Sequence, residues 1–387
     1  MSEPMNVEQA VAQRYSRAAG ARADELCCPV VYDDRYLEII PREILERDYG
    51  CGDPTRHLRS GETVLDLGSG GGKACYIAAQ VVGPEGRVHG IDMNDEMLAL
   101  AESHRTAIGD RLGYHNVTFH KGRIQDLALD LRKLEAYLAK HPVRTVSEMD
   151  AFERWKQVER LERPTIADGS IDVVVSNCVL NLVRPEDKRR MFQEMHRVLR
   201  RGGRVVISDI VCDEDVPAAL QQDPELWSGC ISGAFREDRL LQAFEQAGFY
   251  GIRLLRRDAE PWQIVRGIEF RSVTVEASKG KEGACLERNQ AVIYKGPWRS
   301  VTDDDGHTLQ RGRRTAICDK TFRIFTTAPY AADIDPVPPL DEVPLDQARA
   351  FDGSPGRLRS ARETKGRDYD VTKGPDAPCC GTDGDGC

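Results

Sequence analysis

Apolar and polar positions follow one another along residues 63–209 in an order typical of short strands separated by helices. Apolar runs predict five strands, at residues 63–67, 87–92, 117–122, 170–176 and 204–209. Three intervening segments, 73–82, 94–104 and 186–199, are predicted to be helices. Strands that alternate with helices through short turns predict an α/β fold with a doubly wound, mainly parallel sheet.

The rest of the chain departs from this order. Apolar residues recur at helical spacing near the N-terminus, and residues 130–164 predict an inserted helical hairpin, either a solvated excursion or a lid or interface. Residues 270–277, 291–295 and 321–326 are predicted strands of a small, mainly-β C-terminal domain. We therefore predict four regions: an N-terminal helical segment at 1–50, a cofactor-binding domain at 51–252, a C-terminal domain at 253–327, and an extended, disordered, cysteine-containing tail at 328–387.

Composition narrows the classes of partner. The formal net charge of -9 argues against nucleic acid and anionic membranes as partners. The first ten residues lack the basic and apolar regions of a signal peptide, and no apolar run approaches the ~20 residues of a membrane helix. We therefore expect a cytoplasmic protein. Its 12 cysteines then point to soft-metal binding or redox chemistry more than to a disulfide framework.

A glycine-rich loop marks the candidate cofactor site. Asp66 lies in the last two residues of the first predicted strand and is followed by Gly68, Gly70 and Gly72 before a helix begins. Glycine lets the backbone approach a ligand closely, and the following helix offers unpaired N–H groups. The second strand ends at Asp92, where a carboxylate is placed to bind ribose hydroxyls. These features also fit a dinucleotide site, and a glycine-rich turn can be purely structural.

Three observations favour S-adenosylmethionine. Asp66 suits a ligand that carries an ammonium and a sulfonium group, and the Gly-x-Gly-x-Gly spacing differs from the Gly-x-Gly-x-x-Gly of NAD sites. The third strand is followed by Arg123 and Ile124, which are suited to hold an adenine edge. Four further residues near these motifs are predicted to contact the cofactor: Tyr49, Ser69, Met93 and Asn177.

Cysteines lie in three short motifs around this loop. Cys51 occurs in Tyr-Gly-Cys-Gly, Cys178 in Asn-Cys-Val-Leu-Asn-Leu, and Cys230 ends Asp-Pro-Glu-Leu-Trp-Ser-Gly-Cys. These motifs resemble those of the arsenite S-adenosylmethionine methyltransferases over roughly residues 8–327, and the tail Cys379-Cys380-Gly381 resembles cysteine-rich ends in that family. The resemblance implies a class I, Rossmann-like methyltransferase that transfers methyl groups from S-adenosylmethionine to arsenite in arsenic detoxification.

The resemblance also implies roles for the cysteines. Cys51, Cys178 and Cys230 would bind trivalent arsenic, a soft centre for which thiolate is the best protein ligand. The arsenic lone pair would be the nucleophile, so the chemistry requires no general base. Methylation oxidises arsenic formally, and Cys51 with Cys27 or Cys28 would return two electrons by closing a disulfide that glutathione or thioredoxin reopens. The substrate would be arsenite or its thiol conjugate.

Two alternatives follow from the residues. A methyltransferase could instead modify a carbon, nitrogen or oxygen of a small metabolite, with the cysteines incidental. A non-catalytic metalloid-binding protein would keep Cys178 and Cys230 but would not need Asp66, Gly70 and Asp92. The tail cysteines Cys379, Cys380 and Cys387 are predicted to be dispensable for the chemistry.

Overall fold

The structure is a computed structural model that describes residues 7–20, 30–353 and 356–365. Contacts divide the chain into two compact units, Met1–Gly280 and Lys281–Cys387. Within the described residues, no helix has both the length and the apolar character needed to cross a membrane.

The first unit is built on one mixed sheet with nine strands among the described residues. Seven of them lie in the order β3-β2-β1-β4-β5-β9-β7, and β6 and β8 pair at the side with β5 and β9. The strands are β1 Thr63–Leu67, β2 Arg87–Asp92, β3 Val117–Lys121, β4 Ile171–Asn177, β5 Leu199–Cys212, β6 Phe235–Arg236, β7 Tyr250–Arg257, β8 Gln263–Val265 and β9 Ile268–Ser278. The first five are parallel, which confirms the predicted doubly wound, mainly parallel sheet.

Helices cover both faces of this sheet. They are α1 Val7–Gly20, α2 Asp34–Leu37, α3 Arg42–Glu46, α4 Lys73–Val82, α5 Asp95–Leu112, α6 Leu131–Lys140, α7 Val146–Glu162, α8 Pro185–Val198, α9 Ala218–Gln221, α10 Pro224–Ser228 and α11 Glu237–Gln246. Strand β4 shows why both faces are apolar: Val174 packs in one core cluster, whereas Val173 and Val175 pack in the other. Residues that alternate along a strand point to opposite faces, so a sheet covered on both faces has almost continuously apolar strands.

Helices α6 and α7 form the hairpin in the segment predicted as an insertion. Thr145 and Glu148 form a capping box that begins α7, and Tyr137 stacks on Trp155 at a centroid distance of 4.3 Å. Arg160 of α7 binds Asp126 at 2.7 Å, so the hairpin is tied to the loop after β3. Val146 remains 80% exposed at the start of α7.

The second unit has its own small core. Its elements are β10 Ala291–Tyr294, β11 Ser300–Thr302, β12 Thr308–Gln310, β13 Arg314–Ala316, α12 Asp319–Phe325, β14 Ile334–Val337 and α13 Ala361–Lys365. Strand β10 pairs antiparallel with both β13 and β14. The buried side chains of Val292, Ile317 and Phe325 belong to one hydrophobic cluster.

Three expectations differ from these observations. The C-terminal domain was expected to begin at residue 253, but β7 and β9 belong to the main sheet, where β9 pairs antiparallel with β5 along nine residue pairs from Arg204↔Ser278 to Cys212↔Phe270. Residues 321–326 were expected to form a strand, but they lie mostly in α12, which begins after Cys318 as its N-cap. The tail was expected to be extended from residue 328, but β14 and a bridge between Leu286 and Ala350 pack that segment into the second unit.

Candidate active site

One cavity lies at the carboxyl ends of β1, β2 and β4, the edge where doubly wound sheets bind their ligands. Helix α1 forms an additional wall through Val11, Ala12 and Tyr15. Ten of the residues predicted to bind the cofactor line this cavity: Tyr49, Asp66, Gly68, Ser69, Gly70, Asp92, Met93, Arg123, Ile124 and Asn177. The eleventh, Gly72, is not among the lining residues and is instead the N-cap residue of α4.

Asp92 fixes the glycine-rich loop from the end of β2. The Gly70 amide donates to Asp92 Oδ2 at 2.9 Å, and the Asn94 amide donates to Asp92 Oδ1 at 2.8 Å. Gly70 has a φ of +51°, in the left-handed region that residues with side chains rarely adopt. Asp92 therefore shapes the loop in addition to facing the cavity, and burial raises the pKa of its carboxyl group.

The floor of the cavity carries polar groups suited to S-adenosylmethionine. Burial raises the pKa of Asp66 to about 7, although its Oδ2 atom accepts a hydrogen bond at 3.3 Å from the Cys75 thiol, which opposes the rise. A buried carboxylate of this kind favours a cationic ligand, which would restore the ionised form. The hydroxyl of Ser69 is buried and has no hydrogen-bond partner among the described residues. These groups fit a ligand that has a positive centre and further hydrogen-bonding groups.

Asn177 joins the cavity to the segment that carries Cys51. Its Oδ1 atom accepts hydrogen bonds from the amides of Cys51, at 2.9 Å, and Gly52, at 3.1 Å. Its Nδ2 atom donates to the Gly52 carbonyl at 2.7 Å and to the Tyr32 hydroxyl at 3.1 Å. The Asn177 side chain therefore positions Cys51 at the end of β4 while also lining the cavity.

Cys51, Cys178 and Cys230 are buried in one hydrophobic cluster beside the cavity. Cys178 also lines the cavity, so this residue connects the cofactor side to the cysteine cluster. The Cys230 thiol donates to the Cys178 carbonyl oxygen at 3.2 Å. Among the described residues, the three sulfur atoms do not all lie within 4.8 Å of one another, so binding one ion through all three requires a local approach of their loops.

The backbone is unusual at two of these cysteines. Cys178 has a φ of +60° and Cys230 a φ of +64°, both in the left-handed region. A residue with a side chain pays about 1–3 kcal/mol to adopt such a conformation, which persists only where neighbouring interactions impose it. Both loops are therefore held by specific contacts in a conformation that presents these two thiols.

A buried polar pair, Asp209 and Asn181, supplies many of those contacts. Asp209 Oδ2 accepts from the Leu180 amide at 2.9 Å, and Asp209 Oδ1 accepts from Asn181 Nδ2 at 2.9 Å. Asn181 Nδ2 also lies within hydrogen-bonding distance of the carbonyl oxygens of Ile210, at 2.6 Å, and Cys230, at 3.3 Å. The pair thus connects the Cys178 loop to the Cys230 loop, a role that the sequence analysis did not assign to either residue.

The loop after Cys230 packs tightly against this pair. A methyl group added to Gly233 would lie 1.9 Å from the Asn181 carbonyl oxygen. The Lys188 ammonium donates to the Gly233 carbonyl and lies 3.8 Å from the centre of the Phe235 ring. Burial lowers the pKa of Lys188 to about 8, because a charged amine is costly in an apolar environment.

Helix α1 extends across the cavity, and this position is not predicted by the sequence. At one side Asn94 Nδ2 donates to Ser16 Oγ at 2.9 Å, and at the other Arg14 donates to the Glu225 carbonyl at 2.9 Å. Tyr15 lies beside Cys230 and Cys178. Because of this position, burial and then the two neighbouring thiols raise the pKa of its hydroxyl. The helical spacing of Val11 and Tyr15 predicts a helix but contains no signal for its location.

Among the remaining predicted residues, one that lines the cavity has an additional partner, and five cysteines lie outside the described residues. Arg123, predicted to hold an adenine edge, forms an ion pair with Glu8 of α1 at 3.0 Å. Cys27 and Cys28 lie outside the described residues, as do the tail cysteines Cys379, Cys380 and Cys387.

Family models match both units of the chain. A methyltransferase domain model matches residues 58–166 and 153–248, and a model of a domain of unknown function matches residues 281–369. The two methyltransferase matches together extend from β1 to the end of α11, whereas β7, β8 and β9 of the main sheet lie beyond them.

Curated relatives and a solved structure are similar over most of the chain. An arsenite methyltransferase of Aquipseudomonas alcaligenes is 34% identical and covers 76% of this chain and 78% of its own length. An arsenite methyltransferase of Mus musculus is 28% identical over 81% of this chain and 77% of its own length. The crystal structure of an arsenic(III) S-adenosylmethionine methyltransferase from Chlamydomonas reinhardtii matches with a TM-score of 0.54 and 28% identity, covering 80% of this chain and 96% of that one.

Proposed function

Since this chain belongs to the arsenite methyltransferase family and methylates arsenite with S-adenosylmethionine, we propose that Cys178 and Cys230 hold the trivalent arsenic during transfer. Cys51 completes the ligand set when the loops approach. Thiolates are the preferred protein ligands of this soft centre, and three of them leave its lone pair available to react.

The observation that carries this proposal is the position of Cys178. Cys178 lines the cavity together with Asp66 and Asp92, and it also packs in the same cluster as Cys51 and Cys230. An acceptor bound by these thiols would be adjacent to a methyl donor bound above the glycine-rich loop. Adjacent placement of two reactants is a major source of rate enhancement, and this chemistry asks the protein mainly for position.

The same cavity supplies the groups that hold the cofactor. Asp66 and Asp92 provide negative charge, and the loop from Gly68 to Gly70 permits a close approach of the backbone. S-adenosylmethionine supplies an electrophilic methyl group on a sulfonium when it is bound. Helix α1 covers this region through Val11, Ala12 and Tyr15, so it limits the access of water to the acceptor side.

We assign the return of electrons to Cys51 together with Cys27 or Cys28. Cys51 is 2% exposed, its amide is held by Asn177, and its side chain packs in the same cluster as Cys178 and Cys230. Oxidation of the thiols of Cys51 and Cys27 or Cys28 to a disulfide would return two electrons to the methylated arsenic and release two protons, and an external thiol such as glutathione or thioredoxin would then reduce the disulfide. The twelve cysteines of the chain suit a reducing compartment, and we propose the cytoplasm. The acceptor is arsenite or its thiol conjugate.

The test compares three serine variants with arsenite as substrate. Cys178→Ser and Cys230→Ser should each lower the rate of methylarsenic formation at least 100-fold, because a hydroxyl is a poor ligand for a soft centre. Cys212→Ser is the matched control, since Cys212 lies in the same cluster but its thiol donates to the Phe235 carbonyl at 3.3 Å. A serine hydroxyl can keep that bond, so this variant should retain activity within about twofold, a change of roughly 0.4 kcal/mol.

Mass spectrometry of the arsenic species measures the product, and calorimetry of S-adenosylmethionine binding verifies that each variant retains its cofactor site. Full activity of Cys178→Ser or Cys230→Ser would contradict the assigned arsenic ligands. Loss of activity in all three variants would show that the cluster is needed for folding and not specifically for arsenic.

A further inference from the structure

The second unit contains a pair of cysteines that the proposed function does not use. Cys285 is exposed, whereas Cys318 is buried at the start of α12. The Asp319 amide donates to the Leu286 carbonyl at 2.9 Å, so the residues that follow the two cysteines are joined directly. The Phe351 amide donates to the Cys285 carbonyl at 2.9 Å, which fixes the segment from its other side.

The two thiols interact with each other and with an amine. The side chains of Cys318 and Lys320 both lie close enough to Cys285 to act on the ionisation of its thiol. The Lys320 ammonium also donates to the Gly283 carbonyl at 3.3 Å, which keeps it beside this segment. Partial burial and then the Cys318 thiol raise the pKa of Cys285, whereas Lys320 acts in the opposite direction. Cys318 is held in turn by Thr321, whose hydroxyl lies 3.2 Å from its sulfur.

We propose that Cys285 and Cys318 form a second arsenical site, a dithiol that binds monosubstituted trivalent arsenicals. An arsenic atom with one organic substituent has two valences left, and a neighbouring pair of thiolates can fill both. The exposed Cys285 gives a ligand access from solvent, and the buried Cys318 closes the chelate. The neighbouring Lys320 ammonium lowers the pKa of Cys285 and so favours its thiolate, against the rise caused by partial burial.

The binding step balances without an oxidant or reductant. Two S–H bonds and two As–OH bonds break, and two S–As bonds form. Each hydroxyl group leaves with one thiol proton as a water molecule. Arsenic remains trivalent throughout. The proposal relies on the proposed function only for its choice of ligand, because monomethylated trivalent arsenic is a possible product of the first unit after reduction.

The test uses the full-length protein, phenylarsine oxide as the probe and a phosphine reductant that does not compete as a dithiol. Trypsin releases Cys285 in the peptide 282–288 and Cys318 in the peptide 315–320. We expect mass spectrometry to detect these two peptides joined by one phenylarsenic group. We also expect Cys285→Ser and Cys318→Ser each to lower the number of bound probe molecules by one in the intact protein. Cys212→Ser is the control and should leave that number unchanged.

Because Cys285 is exposed, Cys285→Ser should fold normally even if Cys318→Ser does not. The proposal is overturned if Cys285→Ser binds as much probe as the unaltered protein, or if the probe joins Cys285 to a different cysteine. The readout is binding in the second unit and not methylation. Failure here would therefore leave the assignment of Cys178 and Cys230 unaffected, and failure of that assignment would not change this result.

Discussion

Asp66 faces the cavity as an acid whose pKa burial raises to about 7, so near neutral pH it is only partly ionised. S-adenosylmethionine is cationic at its sulfonium and favours the ionised carboxylate. Binding should therefore release a proton from Asp66 when the pH is near or below 7. It follows that the affinity for S-adenosylmethionine rises with pH through 7 and levels off above it.

We predict that the dissociation constant for S-adenosylmethionine falls about tenfold between pH 6 and pH 8, corresponding to one pKa unit of linkage or ~1.4 kcal/mol. Calorimetry in buffers of different ionisation enthalpy should detect the released proton. Asp66→Asn should bind more weakly and show little pH dependence. A pH dependence that persists in Asp66→Asn would assign the proton to another group, such as Asp92, whose pKa burial also raises.

Single residues differed in how well the sequence predicted them. Asp66 and Asp92 were found because a glycine-rich loop and a strand end give them fixed positions along the chain. The roles of Asp209 and Asn181 were not predicted, because they depend on strand register. Asn177 lies opposite Ser208, 31 positions away in the sequence, and this pairing brings the loop after Asn177, which contains Asn181, next to Asp209. An aspartate within an apolar strand was the available signal, since a buried carboxylate needs partners.

Among the structural elements, the loop that follows Cys230 depends on a single glycine. Its shape is fixed by Gly233, where an added methyl group would lie 1.9 Å from the Asn181 carbonyl oxygen. Because that oxygen belongs to the backbone, the clash can be relieved only by moving one of the two cysteine loops. Overpacking of this kind costs typically ~1–3 kcal/mol.

We predict that Gly233→Ala lowers the rate of arsenite methylation roughly tenfold or more, whereas its affinity for S-adenosylmethionine changes less than about twofold. The residues that face the cofactor, such as Asp66 and Asp92, belong to other loops, so displacement of the loop after Cys230 should not move them. Gly353→Ala is the control, because an added methyl group there has no neighbour within 4 Å. Equal loss of cofactor affinity and activity in Gly233→Ala would indicate general unfolding and contradict a specific effect on the cysteine loops.

The sequence predicted those helices and strands that are determined by hydrophobic periodicity. It did not predict features that depend on a helix cap or on the choice of a partner strand. The first five strands follow from their apolar runs. Residues 321–326 contain β-favouring Thr, Phe and Ile, but Cys318 caps the segment by accepting a hydrogen bond from the Thr321 amide at 3.4 Å, and a helix forms. Strand β9 was recognised as a strand, but its partner was not, because a strand pattern does not specify which sheet it joins.

At the scale of the whole molecule, the cavity and the three cysteines proposed to bind arsenic lie within residues 1–280. The contacts of the chain divide after Gly280, at the same place where the second family model begins. The predicted boundary at 253 was based on a change of composition, which does not show that β7 and β9 complete the sheet beside β5. A truncation at 252 would remove β9 and leave one edge of β5, the edge opposite β4, without a partner strand.

A chain that ends at Gly280 should therefore fold and bind S-adenosylmethionine with an affinity within about threefold of the full-length protein, a difference of ~0.65 kcal/mol. Circular dichroism and calorimetry provide the two measurements. A chain that ends at Lys365 is the matched control, because it retains the described part of the second unit and separates its effect from that of the last residues. A chain that ends at residue 252 should aggregate, since it exposes the edge of β5 that β9 normally covers. If the chain ending at Gly280 also aggregates, or binds S-adenosylmethionine more than about tenfold more weakly than the Lys365 control, a loss of ~1.4 kcal/mol, then the second unit contributes to the cofactor site and the division after Gly280 does not separate independent folding units.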